Sequence, residues 1–156
     1  MKRFYFLFLL FFFGCETTFV GNQLRLEMSA PQQAVLLIVD NNKTVSYGGG
    51  LNAVEGKTTW QGDLDGNQQQ EFEQLINTSG WLLNPPKTDD NKGTGHYKIR
   101  IRRDEIDNKF TVPLTNNNAT SIYSFLMNIT RVQFEPYLEK LPKPNMDVLI
   151  ERKLKP

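Results

Sequence analysis

The residues able to do chemistry in this chain are few and scattered. There is one cysteine, Cys15, and one histidine, His96. A catalytic histidine needs a partner that accepts or supplies a proton, and the sequence around His96 offers no paired carboxylate, so it reads as a surface or strand-end residue. A lone thiol forms no intramolecular disulfide. No set of His, Cys and carboxylate ligands stands at metal-binding spacing, so neither a metal nor another cofactor is expected. Glu27, Asp63, Glu105 and Glu135 are carboxylates of the type that hydrolyse glycosides, but that chemistry needs two of them about 5–10 Å apart, and the sequence alone brings no two together. Gly48-Gly49-Gly50 resembles an anion cradle only in composition. A phosphate loop needs a helix directly after the glycines, whereas the text here reads as continuing into a strand, which leaves a flexible connection or a bulge. The remaining candidates are Lys98, Arg100 and Arg102, which alternate with Tyr97, Ile99 and Ile101 and so share one strand face. They can meet an anionic partner, form a solvated edge that discourages strand pairing, or be neutralised by Glu105 and Asp107.

Cys15 acquires a role from what precedes it. Lys2 and Arg3 stand before ten uninterrupted apolar residues, Phe4 to Phe13, and Gly14 follows. Ten residues in a helix span about 15 Å, half of a ~30 Å hydrocarbon core, so the run is too short for a stable transmembrane helix and fits the apolar core of an export signal. The Gly14-Cys15 junction resembles the lipobox of bacterial lipoproteins. That resemblance implies removal of residues 1–14 and a lipid on Cys15, which would tether the chain to the cell membrane or outer membrane of a bacterial envelope. It also accounts for a single cysteine in an exported protein. The other reading is an ordinary secretory peptide cut elsewhere, with Cys15 incidental.

Composition narrows the partner classes. The chain has 18 basic and 17 acidic residues; without Lys2 and Arg3 there remain 16 against 17, a balance that gives no reason to expect nucleic acid as a partner. The expected organisation is a signal peptide over 1–14, a tether over 15–22 and one domain over 23–156.

The elements follow from periodicity. Leu24, Leu26 and Met28 alternate with polar residues as in a half-buried strand, and Ala34 to Val39 is apolar on both sides, as in a central one. Asp40-Asn41-Asn42-Lys43 is hairpin text, since Asn and Asp tolerate positive φ. Thr44 to Tyr47 returns, and Lys57 to Leu64 adds a strand with Trp60 in the core. Asp65 with Gln68 forms a capping box ahead of a helix carrying Phe72, Leu75 and Ile76, stopped by Gly80. Asn84 to Gly95 is a polar loop. The basic strand follows, then a turn over residues 104–108 and a strand with Phe110, Val112 and Leu114 inward. A helix begins after Asn116-Asn117-Asn118, with Ala119, Ile122, Phe125, Leu126 and Ile129 as its stripe, and an irregular apolar segment succeeds it. A last strand is expected over 146–152.

These elements predict an α+β fold: a mainly antiparallel sheet of about six or seven strands with two helices packed on one face. The order Val45-x-Tyr47-x-Gly49, Gly56-Lys57, a helix ending at Gly80-Trp81, then a basic strand and a helix also resembles small uncharacterised domains of exported bacterial proteins, which implies no site residues. The functional expectation is a lipid-anchored, non-catalytic interaction or accessory domain meeting an envelope protein or anionic polymer. The alternatives are an enzyme acting on envelope glycans or peptides, and a domain binding a small apolar ligand.

Overall fold

The computed structural model describes residues 23–88 and 95–138, with side chains described as far as residue 132. Six strands form one antiparallel sheet: β1 (Arg25–Ala30), β2 (Val35–Asp40), β3 (Thr44–Gly49), β4 (Trp60–Asp63), β5 (His96–Arg103) and β6 (Ile106–Pro113), in the spatial order β4-β3-β2-β1-β5-β6. A one-turn helix α1 (Leu51–Val54) lies between β3 and β4, α2 (Gly66–Ser79) follows β4, and α3 (Asn117–Leu138) follows β6. The fold is α+β. The expected strand over 146–152 and the tether over 15–22 lie outside the described residues.

The helix and turn signals act locally, as their chemistry requires. Asp65 Oδ1 accepts from the Gln68 N–H while Gln68 Oε1 accepts from the Asp65 N–H, both at 2.9 Å, and Gly80 closes α2 at φ 69°. Asn116 Oδ1 accepts from the Ala119 N–H at 3.0 Å at the start of α3. In the β2–β3 hairpin Asn41 and Asn42 both adopt positive φ, and the Lys43 N–H donates to the Asp40 carbonyl at 3.0 Å.

Three boundaries differ from expectation. Gly50, at φ 59°, does lead into a helix, but only the single turn of α1. The glycine run also has a packing cause: a Cβ on Gly48 would sit 2.1 Å from the Lys57 carbonyl oxygen. The β5–β6 turn is tighter than residues 104–108, because Arg103 pairs with Ile106 and only Asp104 and Glu105 turn, Asp104 at φ 54°. The helix α3 continues through Pro136 to Leu138 where irregular structure was expected. Proline's missing N–H removes one helical hydrogen bond there.

One sheet face carries the core. Leu26, Met28 and Ala30 of β1 stand opposite Val39, Leu37 and Val35 of β2, and Ile101 and Ile99 of β5 complete the rows. Phe72 and Ile76 of α2 and Ala119, Ile122, Leu126 and Ile129 of α3 are buried in the same cluster, and the rings of Phe72 and Phe125 stack 6.4 Å apart. Trp60, expected in the core, is half-buried at its margin, its ring lying over Gly62. Among the described residues 21 apolar side chains are almost completely buried, which supplies the main favourable term in folding, about 1.5–3 kcal/mol for each large aliphatic or aromatic side chain before entropy is subtracted.

Candidate functional site

The alternation that sends Leu26, Leu37 and Ile99 inward sends a polar set to the second face, and strand register arranges that set in rows. The first row runs Asp63, Thr44, Asp40, Arg25, Arg102, Asp107 across all six strands. The second runs Gln61, Ser46, Ile38, Glu27, Arg100, Lys109. The third holds Gly48, Leu36, Ser29, Lys98 and Thr111.

The rows decide which charges cancel. Glu27 Oε1 accepts from Arg25 Nε at 2.9 Å and from Arg102 Nη2 at 3.0 Å, while Arg25 Nη1 also donates to Asp40 at 2.8 Å. Burial alone would lower the Arg25 pKa, but the hydrogen bonds and negative charges of Glu27 and Asp40 outweigh it and hold it above its ordinary value. Arg100 grips Asp107 through two bonds of 2.8 and 2.6 Å, a bidentate pair that holds the guanidinium pKa up and the carboxyl pKa down. All three arginines of this set are thus engaged with carboxylates. Among the described residues Lys98 and Lys109 form no ion pair, and both are exposed.

Around these two lysines the face is concave. A groove of about 420 Å³ has Glu27, Ser29, Lys98, Arg100, Lys109 and Thr88 among its lining residues. Thr88 arrives from the far side of the sheet. Trp81 is buried on the core side, its ring edge-to-face with Phe110 at 5.3 Å, and Asn108 Nδ2 donates to the carbonyls of Trp81 and Leu82 at 2.9 and 3.0 Å. Between Trp81 and Thr88 the chain therefore crosses from the core side of β6 to the second face. A further groove of about 280 Å³, lined by Ser29, Pro31, Ala34, Val35, Ala53, Val54 and Lys98, adjoins the first through Ser29 and Lys98.

Of the expected site residues, Lys98, Arg100 and Arg102 do share one face, but their states differ: Arg100 and Arg102 are paired, by Asp107 and Glu27, and Lys98 alone is free of an ion pair among the described residues. Glu105, offered by the sequence as a partner, stands in the β5–β6 turn instead. Sequence reasoning missed Lys109 because the strand was read as starting at Phe110; carrying the alternation back through Asn108 places Lys109 and Asp107 opposite Phe110. His96 begins β5, its Nδ1 3.2 Å from Gln32 Nε2. Glu27 and Asp63 share the second face, yet they are three strands apart, about 14 Å at the usual strand spacing. Glu135 lies beyond the side chains described, as does Cys15. Among the described residues no three His, Cys, Asp or Glu side chains gather as metal ligands, and no helix is long and apolar enough to cross a membrane. In comparisons with known proteins, no family model matches the chain and no curated protein sequence matches it.

Proposed function

We propose that this chain is an exported bacterial domain, held to an envelope membrane by lipid on Cys15, that binds an anionic envelope partner on the second face of its sheet without catalysis. In this reading both long helices pack on the Leu26 face and leave the other to the partner. The observation that carries it is the groove: among the described residues its lining holds two lysines without an ion pair, Lys98 and Lys109, beside Arg100, which Asp107 neutralises, and Glu27, which already accepts two arginine hydrogen bonds. Unpaired lysines on a concave surface raise the local concentration of anions and offer hydrogen-bond donors once the anion arrives. The membrane part rests on the sequence, on Lys2-Arg3, the apolar run and Gly14-Cys15.

Two measurements test it. Fatty-acid labelling of the native chain and of Cys15→Ser should give label and membrane association that the variant loses; equal labelling of both removes the anchor. Cross-linking in the intact envelope should capture a partner whose yield falls on charge reversal at Lys98 and Lys109. An unchanged set of cross-links rejects the second face as the binding surface.

A further inference from the structure

We propose that the ligand of this face is an anionic lipid, its phosphoryl group held between Lys98 and Lys109 and its acyl part lying along the adjoining apolar groove; this rests on the reading of the second face as the partner surface. Lys98 stands opposite Thr111 and Arg100 opposite Lys109, so the two lysines are diagonal neighbours on adjacent strands. Such positions lie about 7–8 Å apart, and two four-carbon side chains from there can converge on one phosphoryl group. Ser29 and Thr111 flank Lys98 in its own row and bring two hydroxyl donors to the same place. The three neighbouring arginines are neutralised by Glu27, Asp40 and Asp107, which leaves the excess positive charge of this part of the face on the two lysines.

The second half of the argument is apolar. Lys98 and Ser29 line both grooves, so the cation stands at their junction. Leading away from it are Pro31, Ala34, Val35, Ala53 and Val54, and α1 carries Leu51 and Val54 at 72% exposure each. Exposed aliphatic side chains beside a cationic pocket cost solvation unless something apolar covers them. A free phosphate or a sugar-phosphate polymer would use the lysines and leave Ala53 and Val54 in water. An amphiphile with an anionic head uses both ends, and a lipid-tethered domain meets such molecules at high local concentration.

The test uses the full chain in neutral detergent micelles, titrated with phosphatidylglycerol, with phosphatidylcholine and with glycerol phosphate, while amide and methyl resonances of Ser29, Lys98, Thr111, Ala53 and Val54 are followed. Phosphatidylglycerol should shift both sets and phosphatidylcholine neither. The double variant Lys98→Gln, Lys109→Gln should weaken phosphatidylglycerol binding about 25-fold, since each lysine near an anionic lipid contributes about fivefold. Val54→Asn, which removes apolar surface without adding charge, should weaken the lipid but leave glycerol phosphate unchanged; all three substituted positions are exposed, and unchanged spectra away from the groove establish that the variants fold. Equal affinity for glycerol phosphate and phosphatidylglycerol, with Ala53 and Val54 silent, overturns the lipid and leaves an anion surface. No shift with any titrant, while envelope cross-links still depend on Lys98 and Lys109, overturns the lipid alone. Neither lipid shifts nor lysine-dependent cross-links overturns both proposals.

Discussion

Asn108 holds Trp81 by its backbone: the side-chain amide on the core face of an edge strand donates at 2.9 Å to the carbonyl of a residue 27 positions earlier, and also to Leu82. That contact fixes the end of α2 against β6 and starts the passage that delivers Thr88 to the second face. Replacing Asn108 with Ala leaves two carbonyls to find water in a half-buried place. The expected cost is about 1–3 kcal/mol by denaturant unfolding, with faster hydrogen exchange concentrated over residues 81–88. Uniform exchange across the sheet would mean that the contact does not organise this segment.

Glu27 restrains the charge of the groove. In Glu27→Gln, Arg25 and Arg102 lose their shared carboxylate, and the face gains one unit of positive charge. Binding of phosphatidylglycerol in the micelle titration should tighten about two- to fivefold in dilute buffer, with the gain shrinking above ~0.15 M salt as screening shortens to about 8 Å. Weaker binding would show that Glu27 orders the site instead of opposing the anion.

Tyr123 carries a pH dependence. Its hydroxyl donates to Gln33 Oε1, its ring lies 5.1 Å from that of Tyr97, and burial, followed by the nearby Tyr97 and Tyr47, pushes its pKa up to about 12. The unfolded phenol ionises near 10 while the folded one still holds its proton, so the stabilising contribution is intact below pH 10 and is lost as pH rises from about 10 to 12. Tyr123→Phe should flatten stability in that window. The difference in ultraviolet titration between native and variant should isolate one late-ionising phenol; a phenol titrating at pH 10 would contradict the buried setting.

Gly48 is required by packing. Gly48→Ala directs a methyl into the Lys57 carbonyl oxygen 2.1 Å away, so the β3–α1–β4 connection must shift, at a cost of about 1–3 kcal/mol in chemical denaturation. Gly66→Ala, where nothing lies within 4 Å, should change stability little by the same measurement.

The cap of α2 gives a calibrating result. Asp65→Ala removes the acceptor for the Gln68 N–H and should lower stability by about 1 kcal/mol, read as a shift of the denaturation midpoint with an unchanged slope.

What the sequence determined by itself is local. The capping box of Asp65 and Gln68, the left-handed stop at Gly80, the Asn41-Asn42 turn and the alternation through Tyr97 to Arg102 each depend on residues within a few positions of one another, and each acts in the folded chain as its chemistry predicts. What the tertiary structure decided is which charges meet. Glu27 and Arg102 are 75 positions apart and become neighbours only because β1 pairs with β5, a contact between strands that are not consecutive in the chain. The same pairing places Ser29 beside Lys98, while the β5–β6 register places Lys109 diagonal to it and the crossing to the second face adds Thr88. Alternation tells which side of a strand a residue takes. Which residue stands opposite it is set by the register of strands brought together by burial of the Leu26 face, and a shift of β5 by one residue would send Lys98, Arg100 and Arg102 to the core side.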